Sequence, residues 1–161
     1  MKSIILVRHG KSSWEFDVID HDRPLKQRGE SDSELVAKAL KLKDCTPDVW
    51  LSSPAKRALS TCEIFEKTLN FTKNQTIVDE ELYDFDGESV IRYIKRLSNE
   101  LNEVMIFGHN HSFTSISNIF GDVLIDNLPT SGLVKINFDI EDWKDLKKGA
   151  TEFIIIPKDL K

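Results

Sequence analysis

The chain has 161 residues, the length of one ordinary domain, and its 40% hydrophobic and 30% charged residues are typical of a globular protein rather than a disordered chain. The 22 Lys and Arg residues and 27 Asp and Glu residues give a formal net charge of -5, which argues against a general affinity for nucleic acid. Two cysteines, Cys45 and Cys62, are too few for a disulfide framework or a cysteine-rich zinc site. We therefore expect one domain over residues 1–161.

The N-terminal segment and the later apolar runs bear on the location of the protein. Only five uncharged residues separate Lys2 from Arg8, which is too short a stretch for the apolar core of a signal peptide. No later apolar run approaches the roughly 18 residues that indicate a membrane-spanning helix. These observations predict a cytoplasmic protein with no membrane partner.

The first half of the chain alternates short apolar runs with stretches of helical spacing. The run Ile4–Val7 predicts a strand buried on both faces, and Asp48–Leu51 predicts a second short strand. Between them, residues 31–43 predict a helix with one apolar face: Leu35, Ala39 and Leu42. After the second strand, Pro54 is predicted to be the first residue of a helix and Ser53 its N-cap. That helix carries an apolar stripe of four residues: Ala58, Cys62, Phe65 and Leu69.

The second half continues the alternation. The remaining predicted strands are, in chain order, Gln75–Val78, Val104–Phe107, Leu133–Phe138 and Glu152–Ile156. Two apolar stripes predict helices between them: Val90, Ile91, Ile94, Leu97 and Leu101 in one, and Phe113, Ile116, Ile119 and Phe120 in the other. Alternating strands and helices predict an α/β fold, a three-layer sandwich with a mainly parallel central sheet and helices on both faces.

In open α/β sheets, ligands bind beyond the carboxyl ends of the strands. The segments that follow the predicted strands therefore come together at one edge. In chain order they are Arg8-His9-Gly10, Ser52-Ser53-Pro54 with Arg57 one helical turn later, Asp79-Glu80-Glu81, and Gly108-His109-Asn110-His111. Two histidine-bearing turns and an arginine-bearing helix start thus converge on one site.

These residue types suit a phosphoryl group. Guanidinium groups bind phosphate oxygens bidentately and keep their charge, and the helix start near Pro54 adds backbone amides and a dipole. A neutral imidazole such as that of His9 can attack phosphorus and become phosphohistidine, which divides one difficult displacement into two easier ones. Neighbouring arginines lower the pKa of a histidine electrostatically and so keep it neutral at cytosolic pH.

Four sequence segments between residues 4 and 115 carry a family resemblance, in this order: LVRHGKSSWE, DHDRPLKQRG, SSPAKRALSTCEIF and IFGHNHS. They resemble the short SixA-type phosphohistidine phosphatases, a branch of the phosphoglycerate mutase-like histidine phosphatase superfamily. The resemblance implies a phosphoglycerate mutase-like fold and a phosphatase that needs no metal or other cofactor. It also implies a phosphorylated protein or a small phosphate monoester as partner, and phosphate, vanadate or tungstate as pocket ligands.

The resemblance implies a role for each residue that matches a motif. His9 is expected to be the nucleophile that takes the phosphoryl group. Arg8 and Arg57 are expected to clamp the phosphoryl oxygens, and His109, in the Gly-His-Asn turn, to complete the pocket.

Two further roles have an alternative each. Arg23 resembles a further phosphate-contacting arginine of the SixA-type branch, and the alternative is that it pairs with Asp20 or Asp22 to fix its loop.

Larger family members place a carboxylate after the third strand as a general acid. Glu80 and Glu81 fall at about that place and Glu81 is the better match, but a solvated strand-end carboxylate is the alternative. A phosphoramidate substrate needs no dedicated acid, because its leaving nitrogen can be protonated without one.

The surroundings of the motifs leave two questions open. His111 either lines the mouth of the pocket or is a solvated residue at a helix start. Trp14 and Phe16 lie in the loop after His9, where they cover the rim, grip a partner or, as we favour, pack under their own loop.

Three functions are consistent with the sequence. Dephosphorylation of protein phosphohistidine is favoured, because a short chain without insertions predicts a small, open pocket. The alternatives are a small-molecule phosphomonoester phosphatase on the same scaffold and a non-catalytic module that binds a phosphorylated ligand. A non-catalytic module would need neither His9 nor His109.

Overall fold

The structure is a computed structural model that describes residues 1–71 and 76–161. In this part of the chain, six strands form one sheet: β1 (Lys2–Arg8), β2 (Val49–Ser52), β3 (Thr76–Val78), β4 (Glu103–Gly108), β5 (Leu133–Phe138) and β6 (Ala150–Ile155). The strand order is β3-β2-β4-β1-β5-β6. The pairs β2–β3, β2–β4 and β1–β4 are parallel, whereas β5 is antiparallel to both of its neighbours. The predicted mainly parallel sheet is confirmed.

The described helices cover both faces of the sheet. They are α1 (Gln27–Lys41), α2 (Lys56–Leu69), α3 (Glu88–Lys95) and α4 (Ser112–Phe120). Side chains alternate along β1, so that Ile4 and Leu6 pack in a core with α3 and α4, while Ile5 and Val7 pack in a second core with α1 and α2. Burial on both faces explains why β1 is an unbroken apolar run. The expected three-layer α/β sandwich is therefore confirmed.

The buried face of α1 differs from the predicted one. Leu42 was placed on that face, but it lies just after the helix and is 88% exposed. The fully buried apolar residues of α1 are Val36, Ala37 and Leu40. The prediction was wrong because it followed apolar residues alone, whereas the small residues Gly29 and Ser33 occupy the buried side of the first turns.

The start of α2 also differs from the prediction. The helix begins at Lys56 with Ala55 as its N-cap, two residues after Pro54. The Ser53 hydroxyl accepts a hydrogen bond from the Ala55 amide at 3.2 Å, and the same hydroxyl binds His109. Ser53 therefore links the helix start to the neighbouring strand end instead of capping the helix. The predicted stripe is confirmed for its first three members, which are buried: Ala58, Cys62 and Phe65.

The other boundaries differ by smaller amounts. α3 ends at Lys95, and Leu97 and Leu101 pack against the core from the segment after it rather than from the helix. Gln75, predicted to begin the third strand, lies outside the described residues. In residues 1–71 and 76–161 we find no helix that is long and apolar enough to cross a membrane.

Candidate active site

The ends of β1, β2 and β4 bring two histidines and a serine together. Arg8 lies beside Gly108 in the β1–β4 register, so the residues that follow, His9 and His109, leave the sheet side by side. The His9 amide donates to the Gly108 carbonyl at 3.0 Å, and the centroids of the two imidazole rings are 5.4 Å apart. The Ser53 amide donates to a carbonyl of β4 at 2.9 Å, which brings the end of β2 to the same place.

The hydrogen bonds of His9 define which ring nitrogen is free. Nδ1 lies 2.7 Å from the Gly10 carbonyl oxygen, which can only accept, so Nδ1 carries the proton. Nε2 is then unprotonated, and its lone pair accepts a long hydrogen bond from the Arg57 Nε at 3.4 Å. This arrangement presents a nucleophilic nitrogen to a group bound beside Arg57.

The surroundings of His9 keep its imidazole neutral. The residue is only 7% exposed, and burial is the largest cause that lowers its pKa, to about 3. The positive charges of Arg57, Arg8 and Arg23 lower the pKa further, while the bond to the Gly10 carbonyl opposes them. At neutral pH the side chain is therefore an uncharged base.

His109 lies deeper than His9 and is held by polar and aromatic contacts. Its Nε2 is 2.8 Å from the Ser53 hydroxyl, and its ring packs against Tyr83 and Phe85, with a centroid distance of 4.8 Å to Phe85. Burial lowers the pKa of His109 to about 2, and the nearby His9 and Arg57 act in the same direction. Its Nδ1 is buried without a hydrogen-bond partner. His109 is therefore a neutral, fully buried residue beside His9.

The lowered pKa values predict that neither His9 nor His109 titrates between about pH 7.5 and pH 5 in the native protein, whereas both do so near 6.5 after unfolding. Below pH 6.5 the unfolded chain gains two protons that the native chain does not, so the free energy of unfolding falls as the pH is lowered. NMR titration of the imidazole protons in the native and urea-unfolded protein measures this directly. A native midpoint near 6.5 for His9 contradicts the buried, neutral imidazole.

Arg57 from α2 lies at the centre of the cluster. It is 2% exposed, and its two terminal nitrogens donate to Asp20, one to the backbone oxygen at 2.6 Å and one to Oδ2 at 2.9 Å. Arg8 donates from Nη1 to the Leu128 carbonyl at 2.7 Å, while its buried Nε has no partner. Burial and the charge of Arg57 lower the pKa of Arg8 from its ordinary value. The fold therefore holds the buried guanidinium group of Arg57 close enough to the half-buried one of Arg8 for the two charges to repel each other.

Arg23 supplies a third guanidinium group. It is 6% exposed, donates to the Ser12 hydroxyl, and stacks on the Trp14 ring with its central carbon 3.4 Å from the ring centroid. The Arg23 Nε also lies 3.7 Å from the Asp20 Oδ1. Arg23 therefore both lines the cavity and pairs with Asp20, although the sequence presented these as alternatives. Asp22 instead contacts His21. Trp14 is 76% exposed, so the prediction that it packs under its own loop is wrong.

A cavity of about 260 Å³ lies between these side chains. Its lining residues are Arg8, His9, Lys11, Ser12, Trp14, Arg23, Arg57, Phe85, Asn110 and Thr130. The buried nitrogens Arg8 Nε, Arg23 Nε and His109 Nδ1 have no hydrogen-bond partner within the protein. Three guanidinium groups line the cavity together with His9, so it suits a ligand rich in acceptors, which is an oxyanion.

Size and chemistry point to different cavities. A larger groove of about 710 Å³ lies between α1 and α2, where lysines and glutamates of opposite charge line it. We place the site in the smaller cavity because the histidines and arginines converge there. In the described parts of the chain, no group of three or more His, Cys, Asp or Glu side chains is placed to hold a metal ion.

The structure does not bring Glu81 to the cavity. Its carboxylate pairs with Arg96 on the surface, because the Asp79 carboxylate binds the Glu81 amide at 2.9 Å and opens a short 3-10 helix that turns Glu81 outward. Glu80 is also exposed. The carboxylate that reaches the arginines is Asp20, which we considered only as a partner for Arg23.

Ser53 was predicted to lie at this edge as a helix cap, but two contacts of His109 were not predicted. They are the Ser53 hydroxyl and the ring of Tyr83, which comes from the loop after β3. His111 is exposed at the start of α4 and does not line the cavity. Of the two alternatives for His111, the structure therefore shows the solvated residue at a helix start.

Two glycines hold the loop after His9 against α1. A Cβ on Gly10 would lie 2.8 Å from the Gly29 carbonyl oxygen, and a Cβ on Gly29 would lie 2.3 Å from the Lys11 carbonyl oxygen. The Gly10 amide also donates to the Thr61 hydroxyl of α2 at 2.9 Å. The backbones touch so closely that neither position accepts a side chain without displacement.

Gly29→Ala is therefore expected to lower the free energy of unfolding by about 1–3 kcal/mol, the usual cost of forcing an extra carbon into a packed region. Helix propensity alone predicts the opposite sign, because Ala stabilises a helix interior by roughly 1 kcal/mol relative to Gly. Urea denaturation measures the change, with exposed Ser31→Ala in the same helix as the control. A Gly29→Ala protein as stable as the wild type contradicts the close contact.

The family model for the histidine phosphatase superfamily (branch 1) matches residues 4–91, more than half of the chain. The chain belongs to this superfamily. The family expected from the sequence is confirmed, and with it the enzyme class, a phosphatase. The structure brings together five of the predicted site residues, which are Arg8, His9, Arg23, Arg57 and His109. It does not bring Glu81 to them.

The chain is also similar to solved structures and to a curated sequence relative. The chain is similar to the protein histidine phosphatase SixA complexed with tungstate, with a TM-score of 0.84, 24% identity and 99% of each chain covered. It is also similar to SixA from Agrobacterium tumefaciens, with a TM-score of 0.82, 24% identity, and 97% of this chain and 98% of that chain covered. These likenesses show the fold. An uncharacterized chloroplastic protein of Arabidopsis thaliana is 29% identical over 133 residues, which cover 77% of this chain and 61% of that protein, less than two thirds of its length.

Proposed function

We propose that the protein removes phosphate from protein phosphohistidine through a covalent intermediate on His9. The observation that carries the proposal is the neutral, buried imidazole, whose unprotonated Nε2 accepts a long hydrogen bond from Arg57 beside a cavity lined by Arg8, Arg23 and Arg57. We further propose that residues 1–161 act as one catalytic domain in the cytoplasm.

The first step transfers the phosphoryl group to the enzyme. The lone pair of His9 Nε2 attacks phosphorus in line, and the bond to the substrate imidazole breaks with its electron pair staying on the substrate nitrogen. The substrate ring is protonated on its other nitrogen, so it leaves as a neutral imidazole. His9 keeps the proton on Nδ1, held by the Gly10 carbonyl, and becomes a phosphorylated imidazolium. The arginines and His109 bind the oxygens on which negative charge is spread.

The second step returns the enzyme to its starting state. Water attacks the phosphoryl group, the bond to Nε2 breaks, and the electron pair returns to that nitrogen. Because Nδ1 already carries its proton, His9 leaves as a neutral imidazole without an acid to assist it. The proton lost by the attacking water goes to phosphate or solvent.

The lining of the cavity supports phosphohistidine over a phosphate ester. Within the described residues, the lining of the cavity includes no Asp or Glu. An ester leaves as an alkoxide that needs a proton, whereas a protonated phosphoimidazole leaves as a neutral ring. The P–N bond therefore matches the groups that this cavity contains.

Phosphate release in EDTA from a phosphohistidine protein and from an aryl phosphate tests the proposal. We expect EDTA-resistant release that is faster on phosphohistidine and is lost in His9→Ala. Faster release from the aryl phosphate contradicts the substrate class and favours a small-molecule phosphatase. Wild-type protein that binds phosphate and releases none from either substrate contradicts the enzyme and favours a binding module.

A further inference from the structure

Asp20 is an acidic residue that the mechanism above does not use. It begins a short 3-10 helix, Asp20–Asp22, in the loop after β1, and its side chain is 45% exposed. The Asp20 Oδ2 accepts hydrogen bonds from Arg57 at 2.9 Å and from the Tyr83 hydroxyl at 2.6 Å. The backbone oxygen of Asp20 accepts a second bond from Arg57 at 2.6 Å.

These bonds fix the orientation of Arg57. Both terminal nitrogens of the guanidinium group are engaged by Asp20, so its plane is set and Nε is the nitrogen that faces His9. A long arginine side chain without such a partner has many rotamers, in most of which a different donor faces the cavity. Asp20 therefore selects which N–H a phosphoryl group on His9 meets.

Asp20 also supplies negative charge beside two of the arginines, Arg57 and Arg23. Its carboxylate lies 2.9 Å from Arg57 and 3.7 Å from Arg23. Partial burial raises the pKa of Asp20, but the hydrogen bonds from Tyr83 and Arg57 outweigh it, so the pKa lies below its ordinary value. An ionised carboxylate at this position opposes the binding of a second anion and cannot donate a proton to a leaving group.

We propose that Asp20 is a positioning residue that aims the Nε of Arg57 at His9 and limits how tightly the pocket holds free phosphate. The first part rests on the proposed role of His9 as nucleophile, whereas the second part depends only on the charges at the pocket. Product release from a pocket with three guanidinium groups is slow unless part of their charge is compensated. The Asp20 carboxylate provides that compensation without entering the cavity.

Two substitutions separate position from charge. Asp20→Asn keeps an oxygen that accepts from Arg57 but removes the negative charge. Asp20→Ala removes both, leaving only the backbone oxygen. Asp22→Ala is the matched control, since Asp22 belongs to the same 3-10 helix and, in the described part of the chain, its carboxylate pairs with His21 rather than with an arginine.

The binding arm of the test is calorimetric titration with inorganic phosphate, which needs no turnover. Both Asp20 variants are expected to bind phosphate about 3- to 10-fold more tightly than wild type, as expected from removing one partly screened charge. The control is expected to bind as wild type does. Unchanged or weaker binding in both Asp20 variants overturns the proposal, whether or not the protein proves to be a phosphatase.

The kinetic arm measures kcat and KM on a phosphohistidine protein and on an aryl phosphate. Asp20→Ala is expected to lower kcat about tenfold on both substrates, and Asp20→Asn to restore most of the loss because the hydrogen bond to Arg57 is kept. Equal loss of kcat in the two variants overturns the positioning role. Loss confined to the aryl phosphate overturns it as well and identifies Asp20 as a proton donor.

Discussion

His9→Ala is expected to lower kcat at least about a thousandfold on any phosphorylated substrate, while inorganic phosphate or tungstate still binds. In the proposed mechanism the imidazole is the nucleophile, so without Nε2 no covalent intermediate forms. Arg8, Arg23 and Arg57 remain in place, and the cavity retains its affinity for oxyanions. Steady-state phosphate release and calorimetry on the same preparation measure the two effects.

The matched control for His9→Ala is His111→Ala. His111 belongs to the neighbouring histidine-bearing turn, but it is exposed and does not line the cavity, so the variant is expected to keep wild-type kcat. A His9→Ala protein with more than about a tenth of wild-type activity contradicts covalent catalysis at His9, because removal of a true nucleophile leaves far less. A large loss in His111→Ala contradicts the assignment of the pocket.

Arg57→Lys is expected to lower kcat/KM about 100- to 1,000-fold, the cost of losing one preorganised donor to a charged transition state. Lysine keeps the positive charge, but it cannot bind Asp20 with two nitrogens and face His9 with a third. The loss therefore measures geometry rather than charge. Steady-state kinetics on an aryl phosphate and on a phosphohistidine protein give the value.

Arg92→Lys is the control for Arg57→Lys. It makes the same chemical change on α3, where Arg92 is exposed, and is expected to have no effect on kcat/KM. An Arg57→Lys variant whose kcat/KM is within about threefold of wild type contradicts the account. The ammonium group of lysine would then replace the planar guanidinium group without loss of activity.

The strand ends explain why much of the site was predictable from the sequence. Arg8, His9 and His109 follow β1 and β4 directly, and parallel strands place such residues at the same edge. Arg57 follows β2 through a short turn, so its position is also set by the sheet. For these residues the pattern of apolar runs was sufficient to predict proximity.

Loop residues were beyond the reach of the same argument. Asp20 lies far along the loop after β1, and Tyr83 lies in a loop after β3, so no sheet register relates them. Glu81 shows the opposite error: it follows a strand, yet the 3-10 helix capped by Asp79 turns it toward Arg96. One turn of backbone after a strand decides where a side chain points, and apolar periodicity carries no information about that turn.

The most direct measurement is to trap the phosphoryl group on the enzyme. Wild-type protein is mixed with a phosphohistidine protein, quenched in alkali within milliseconds and analysed by mass spectrometry of its peptides. We expect one phosphoryl group per chain on His9, formed and lost at rates that account for kcat, and none in His9→Ala. Turnover with no phosphoryl group on His9, or with one on another residue, contradicts the account.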